Sequence, residues 1–150
     1  MAAMDDLNIS IVKILQASGR ASNAYIAREV GVSEGTVRRR LKQLLQDKVI
    51  HIVALPDPGK LGYETEALVG IQVDPDKIDE VANSLAALTS ASLVAVTTGS
   101  FDLFTWVTLP SSEELGNFLK TAVGTISGVR RTETFVTLSV RKRTHGLTLI

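Results

Sequence analysis

Residues 22–46, SNAYIAREVGVSEGTVRRRLKQLLQ, contain two apolar helical patterns that are separated by Gly31-Val32-Ser33. Ser22 is a typical N-cap for a helix over 23–30, and Ser33 is a typical N-cap for a helix over 34–46. Gly31 can adopt the positive φ that often ends a helix. Two helices joined by a short turn with a glycine are typical of a helix-turn-helix.

The sequence before this motif predicts a third helix that packs behind the other two. Asp5 is a suitable N-cap, and apolar residues recur from Leu7 to Leu15 with helical spacing. For the helix over 34–46 we expect four side chains to point inward, namely Val37, Leu41, Leu44 and Leu45. The β-prone run at 49–53 follows, and it predicts a wing or hinge strand after the three helices.

The apolar pattern changes from helical to alternating at 54–63, where two prolines and two glycines occur within ten residues. Such a segment interrupts helices and marks strand ends. We therefore predict a helix-turn-helix domain over 1–50, a linker over 51–63 and a second domain over 64–150.

The second domain shows the order β-α-β-β-α-β, with strands expected at 64–73, 93–97, 103–109 and 129–141. Asp74-Pro75 predicts the start of the first helix, and a capping box of Ser111 and Glu114 predicts the start of the second. This order is typical of a ferredoxin-like α+β fold, with both helices on one face of an antiparallel sheet. The other face would carry Leu68, Phe104 and Trp106, so we predict a dimer.

Composition narrows the class of protein. The 150 residues are 45% apolar and 21% charged, which is too apolar for a disordered chain. Without cysteine there is no disulfide, thiolate zinc site or cysteine nucleophile. His51 and His145 lie far apart in sequence, so we expect no metal site. Neither a membrane-spanning run nor a secretory signal is visible, which predicts a cytoplasmic protein.

The zero net charge conceals a basic first part. Residues 1–60 hold nine Lys/Arg against six Asp/Glu, whereas residues 61–150 hold seven against ten. Near the start of the second motif helix, the candidate base-reading residues are Ser33, Glu34, Gly35, Thr36 and Arg39. The candidate phosphate contacts are Arg38, Arg40 and Lys42. The alternative is that these charges only keep a helix face solvated.

Several motifs together resemble the Lrp/AsnC, or feast/famine, transcription regulators. They are Gly19-Arg20-Ala21-Ser22, Val30-Gly31-Val32-Ser33, Thr98-Gly99-Ser100-Phe101-Asp102-Leu103 and the pattern Gly128-Val129-x-x-Thr132-x-Thr134. The resemblance implies a DNA-binding N-terminal domain and a C-terminal domain for effector binding and oligomerisation. It implies dimers that often assemble into tetramers or octamers, with a small amino acid bound between dimers.

The resemblance places the effector near the hairpin between the strands expected at 93–97 and 103–109, at Thr97, Thr98, Gly99, Ser100, Phe101 and Asp102. There a glycine loop can offer backbone N–H groups to a carboxylate, and Asp102 can face an ammonium group. Alternatively, Gly99 only supplies positive φ and Asp102 only caps the turn. Ser100 departs from the family, in which this position is often acidic, so the effector can differ from those of well-known members.

Three functions remain open. The first is a sequence-specific DNA-binding regulator that senses an amino-acid-like effector, without catalytic residues or a cofactor. Its expected partners are double-stranded DNA, further copies of the chain and a small amino acid, with no membrane. The second is an architectural DNA-binding protein without an effector. The third is an enzyme that resembles the sirohaem decarboxylases, which share this two-domain arrangement.

Overall fold

The computed structural model describes residues 4–143, which divide into two compact units. One unit comprises residues 4–55 together with 142–143, and the other comprises Pro56–Arg141. Each unit has its own hydrophobic core.

The first unit contains three helices, α1 (Asp6–Ala17), α2 (Asn23–Val30) and α3 (Glu34–Gln46). Their N-caps are the residues that the sequence predicts: the side chains of Asp5, Ser22 and Ser33 each accept a hydrogen bond from the backbone N–H three residues later. Gly31 ends α2 with a φ of 72°. The buried core residues are Ile11, Val12, Leu15, Ile26, Ala27, Val37 and Leu44.

Two expectations for the first unit are wrong. Leu45 is 40% exposed, because it lies one residue beyond Leu44 and thus past the edge of the buried stripe. The run at 49–53 forms no strand, so the described part of this unit contains neither a wing nor a β-hinge. The N–H group of Val49 instead donates to the carbonyl of Leu44 and closes the end of α3.

The second unit contains the strands β1 (Thr65–Val73), β2 (Ala91–Val96), β3 (Leu103–Leu109) and β4 (Val129–Val136). They pair in the order β2-β3-β1-β4, and every pairing is antiparallel. The helices are α4 (Ile78–Ala86) and α5 (Ser112–Phe118), and a π-helical segment, Leu119–Val123, continues from α5. This is the ferredoxin-like α+β arrangement that the sequence predicts.

The core of this unit lies between the helices and one face of the sheet. Ala67, Val69, Ile71 and Val73 alternate along β1 toward it, as predicted, and each is buried. Helix α4 begins at Ile78 rather than at Asp74-Pro75, because the Lys77 N–H donates to the Asp74 carbonyl and forms a turn first. Strand β4 ends at Val136, five residues earlier than expected.

Candidate DNA-binding surface and effector loop

The start of α3 presents the predicted base-reading residues. Ser33, Glu34 and Gly35 are exposed, and Thr36 is half-buried. Ser33 Oγ accepts a hydrogen bond from the Thr36 N–H at 3.1 Å and lies 2.9 Å from Thr36 Oγ1. The same serine therefore caps the helix and positions the threonine hydroxyl at its first turn.

Two of the four predicted DNA-contacting cations are engaged in ion pairs. Arg38 Nη2 lies 2.7 Å from Oε1 of Glu34, one helical turn earlier. Arg40 Nη1 lies 2.7 Å from Oδ2 of Asp5, the N-cap of α1. Arg39 and Lys42 are exposed and have no ion-pair partner among the described residues. Their cationic groups could therefore contact a phosphate or a base without the breaking of an ion pair to another described residue.

Asp5 has a perturbed carboxyl group. Its pKa lies below the ordinary value, first because the carboxylate accepts a hydrogen bond from the Asn8 N–H and then because Arg40 pairs with it. Both interactions favour the charged form. Asp5 thus holds the start of α1 and one guanidinium of α3 at the same time.

The predicted effector residues form a tight loop between β2 and β3. Hydrogen bonds to the backbone carbonyl groups of the loop hold it in place. Thr97, at the start of the loop, makes two hydrogen bonds across it. Its N–H donates to the Asp102 carbonyl at 2.8 Å, and its hydroxyl donates to the Phe101 carbonyl at 2.9 Å. Gln72 Nε2, on β1, donates to the Ser100 carbonyl at 2.8 Å. Sequence reasoning missed Gln72, because its role depends on a contact between segments 28 residues apart.

The N–H groups of this loop remain available. Within the described chain, no hydrogen bond involves the backbone N–H of Thr98, Gly99, Ser100 or Phe101. Gly99 has a φ of 114°, and a side chain there would have open space but a strained backbone. The loop therefore offers several donors in succession, which is the arrangement that suits an anionic group.

Asp102 has a structural task. Its Oδ2 accepts the N–H of Val73 at 2.9 Å, where the register between β1 and β4 shifts between Gln72 and Val73. At such an irregularity a backbone donor loses its strand partner, and the carboxylate replaces it. For one of the two carboxylate oxygens, this hydrogen bond favours the alternative in which Asp102 binds a backbone N–H group rather than a ligand.

Phe101 folds onto the sheet face that the helices leave uncovered. A Cβ added to Gly70 would lie 2.8 Å from Cγ of Phe101, so only glycine fits beneath the ring. The ring also makes edge contacts with Phe104 and Phe135, at centroid distances of 5.4 and 6.5 Å. A glycine inside an apolar strand is the sequence signal that indicates such a close approach.

The same face carries an apolar row across all four strands. Cross-strand pairing aligns Leu93 with Trp106, Trp106 with Leu68, and Leu68 with Phe135. Leu93 is 53% and Phe135 46% exposed, and Leu68 and Trp106 are half-buried. A continuous apolar row on a sheet face is typical of an interaction surface.

Residues 4–143 contain neither a membrane-spanning helix nor a candidate metal centre. No helix in that range is both long and apolar enough to cross a membrane. The same range contains no group of three or more His, Cys, Asp or Glu residues that could hold a metal ion. His51 is exposed, and His145 lies outside the described residues.

Comparison with known proteins gives consistent results for both units. A family model for the AsnC-type helix-turn-helix domain matches residues 4–45, and one for the Lrp/AsnC ligand-binding domain matches residues 66–147. An uncharacterised HTH-type transcriptional regulator of Pyrococcus furiosus is 41% identical over 140 residues, which cover 93% of this chain and 95% of the relative.

Two solved structures share the fold. AsnC of E. coli superposes with a TM-score of 0.88 and 25% identity, over 95% of this chain and 97% of that one. A transcriptional regulator of Neisseria meningitidis, solved as a complex with L-Met, gives a TM-score of 0.90 and 22% identity, over 97% and 96% of the two chains.

Proposed function

The chain belongs to the Lrp/AsnC family of transcriptional regulators, with an AsnC-type helix-turn-helix and a ligand-binding domain, and we propose that an amino-acid-like effector modulates its sequence-specific DNA binding. The family is one of regulators rather than enzymes, so the decarboxylase alternative is set aside. We propose that the helix-turn-helix domain spans 1–50, the linker 51–63 and the effector domain 64–150, and that the protein acts in the cytoplasm.

Helix α3 is the proposed reader of the DNA. The observation that carries this proposal is the exposed Arg39, which has no ion-pair partner among residues 4–143, beside an exposed helix start formed by Ser33, Glu34 and Gly35. Arginine can bind the two acceptors of guanine in the major groove, and the small residues let the backbone approach the bases. Lys42 is the proposed phosphate contact, and Arg38 and Arg40 add to it when their ion pairs open.

The loop over 97–102 is the proposed effector site. The N–H groups at Thr98–Phe101 donate to no other described residue and are suited to a carboxylate. The L-Met complex of the Neisseria regulator supports an amino acid as the ligand. Ser100 and Asp102 line the same loop, although one oxygen of Asp102 already accepts the Val73 N–H.

A second copy of the chain is the proposed partner of the open sheet face. The row of Leu93, Trp106, Leu68 and Phe135 supports this, because a two-fold axis lets such a row meet its own copy. A dimer would present two α3 helices to half-sites about 34 Å apart. Further assembly into tetramers or octamers would create the seam between dimers at which the effector acts.

The decisive experiment measures fluorescence anisotropy on DNA from upstream of the protein's own gene, with an unrelated fragment of equal length as control. At about 0.15 M salt, a preference of roughly 10³-fold or more for the upstream fragment supports specific regulation. Equal weak binding to both, with a steep rise as salt falls, would instead support an architectural protein. An amino-acid panel added to the complex then tests the effector.

A further inference from the structure

Helix α3 carries one carboxylate among four cations. Glu34 is its first residue, and the cations are Arg38, Arg39, Arg40 and Lys42. The Glu34 side chain is exposed at the helix start that we propose to approach the bases. A carboxylate at this place repels phosphate and thus lowers the affinity for DNA of any sequence. A favourable interaction with a base would offset this cost.

The Glu34 carboxylate is held by an ion pair. Nη2 of Arg38 lies 2.7 Å from Oε1 of Glu34, and the spacing of four residues places both side chains on one side of the helix. Within the described chain, Oε2 of Glu34 accepts no hydrogen bond. The pair is exposed, so that it can open in water at small cost. While it is closed, Arg38 orients the carboxylate and leaves one oxygen available.

The major groove offers few donors to such an oxygen. Guanine presents only acceptors there, and thymine presents an acceptor and a methyl group. Adenine presents its N6 amino group beside the acceptor N7, which repels a carboxylate. Cytosine presents its N4 amino group without a neighbouring acceptor on the same base. A carboxylate oxygen at the start of α3 therefore favours cytosine over the other three bases.

We propose that Glu34 reads the N4 amino group of one cytosine in each half-site and that Arg38 positions the carboxylate. At a site with this cytosine the ion pair stays closed, and Oε2 accepts a hydrogen bond from N4. On other DNA the carboxylate finds no donor, so the pair opens and Arg38 binds phosphate. The same two residues thus hold the protein on unrelated DNA and discriminate the specific site. This inference rests on the proposed reading of DNA by α3.

The test selects binding sites for the full chain from double-stranded DNA that is randomised over about 20 base pairs, enough for two half-sites. The variants are Glu34→Ala, Arg38→Ala and Arg38→Lys. The matched controls are Glu29→Ala and Arg28→Ala, which remove the two charges of an exposed pair on α2. The selected site is then synthesised with pyrimidin-2-one in place of the cytosine, because this base lacks only the amino group. Thermal unfolding without DNA checks that every variant is folded.

The wild type is expected to prefer cytosine at one position of each half-site by about tenfold or more over any other base. Glu34→Ala removes this preference and leaves the rest of the motif unchanged. Arg38→Ala weakens the same preference, and Arg38→Lys restores it, because a cation one turn away again holds the carboxylate. Pyrimidin-2-one lowers the affinity of the wild type by about tenfold and leaves that of Glu34→Ala unchanged. The control variants select the wild-type motif.

The results that would overturn the inference are distinguishable from a failure of the proposed function. If Glu34→Ala selects the same motif as the wild type, Glu34 reads no base, while sequence-specific binding stands. If the lost preference is for another base, or if pyrimidin-2-one binds as well as cytosine, the amino group is not what Glu34 recognises. A wild-type preference in Arg38→Ala would show that Arg38 does not position the carboxylate. If the wild type selects no motif, the sequence-specific function fails and the inference fails with it.

Discussion

Arg40, in the proposed DNA-reading helix α3, is bound to Asp5, the residue that caps α1, with 2.7 Å between Nη1 and Oδ2. The two residues are 35 positions apart in sequence, so the pair joins the first helix of the domain to the third. Asp5 also accepts the Asn8 N–H at 2.9 Å. A single carboxylate therefore stabilises the start of one helix and the position of another.

Asp5 makes the helical unit sensitive to acid. Its folded-state pKa is lowered, so its contribution to stability is present above the unfolded-state pKa of about 4 and is lost as the pH falls through the folded-state value. We expect Asp5→Asn to keep a competent cap but to lose the Arg40 pair, and Asp5→Ala to lose both and to be less stable. Thermal unfolding at a series of pH values from 7 to 2 gives the stability of the wild type, Asp5→Asn and Asp5→Ala. The same dependence of stability on pH in all three proteins would contradict this role of Asp5.

Arg39→Ala should weaken binding to the specific DNA fragment by about 1–3 kcal/mol and relax its sequence preference. The reason is that Arg39 is exposed and not engaged in an ion pair within the described chain. Arg40→Ala is the comparison: it removes the same charge from the next position, and as a proposed phosphate contact it should weaken binding to all fragments alike and leave the sequence preference unchanged. Anisotropy on wild-type and base-substituted fragments gives both quantities, and unchanged preference in Arg39→Ala would show that α3 does not read bases through this residue.

Glu34→Gln should raise the affinity for unrelated DNA, because it releases Arg38 from an ion pair of 2.7 Å and removes a charge that repels phosphate. We expect the plot of the logarithm of the non-specific binding constant against the logarithm of the salt concentration to become steeper by about one unit. Glu29→Gln, which alters the exposed Arg28–Glu29 pair on α2, provides the comparison. Identical slopes for the two variants would mean that the Glu34–Arg38 pair has no influence on DNA binding.

Gly70→Ala should destabilise the second unit by about 1–3 kcal/mol, because the new methyl group would overlap the Phe101 ring. In a Phe101→Ala background the same change should cost much less. Gly116→Ala, at an open position in α5, should be neutral or stabilising. Urea unfolding of the wild type, the two single variants Gly70→Ala and Phe101→Ala and the double variant measures the coupling free energy between the two positions. If the losses in unfolding free energy simply add, the two residues are not in contact.

Leu68→Asp should convert the proposed dimer to a monomer, because it places a charge in the centre of the apolar row. Leu61→Asp, at an apolar residue that is 62% exposed outside the sheet, should leave the assembly unchanged. Sedimentation equilibrium measures the mass of each variant. A wild-type monomer, or a Leu68→Asp variant that remains dimeric, would place the interface elsewhere.

Local signals predicted most of the fold. The serine and aspartate caps of α1, α2, α3 and α5 depend on a side chain and a backbone group three residues apart, which the sequence shows directly. Asp74-Pro75 shows a similar signal but forms a turn, which the Lys77 N–H closes by donating to the Asp74 carbonyl. The Asp74 N–H donates to the carbonyl of Gly128, a distant contact that no local pattern contains.

The candidate sites were less predictable, because their geometry depends on tertiary contacts. The residue types at 33–42 indicate DNA binding, but only the folded structure pairs Arg40 with Asp5 and leaves Arg39 exposed. Likewise, the pattern Gly99–Asp102 locates the loop, but only the folded structure brings the Gln72 side chain to the Ser100 carbonyl. The Glu34–Arg38 pair is an exception, because its spacing of four residues is visible in a helical sequence.

The strand order has a consequence for synthesis on the ribosome. The helical core lies between Leu7 and Ile50, so that unit can fold while the rest of the chain is still being translated. Strand β1, in contrast, has one neighbour that is complete only at Val136. Until that residue emerges, one edge of an apolar strand remains open to nascent chains nearby. The helical unit can therefore fold first, and the sheet face on which assembly would depend is complete only after Val136 has emerged.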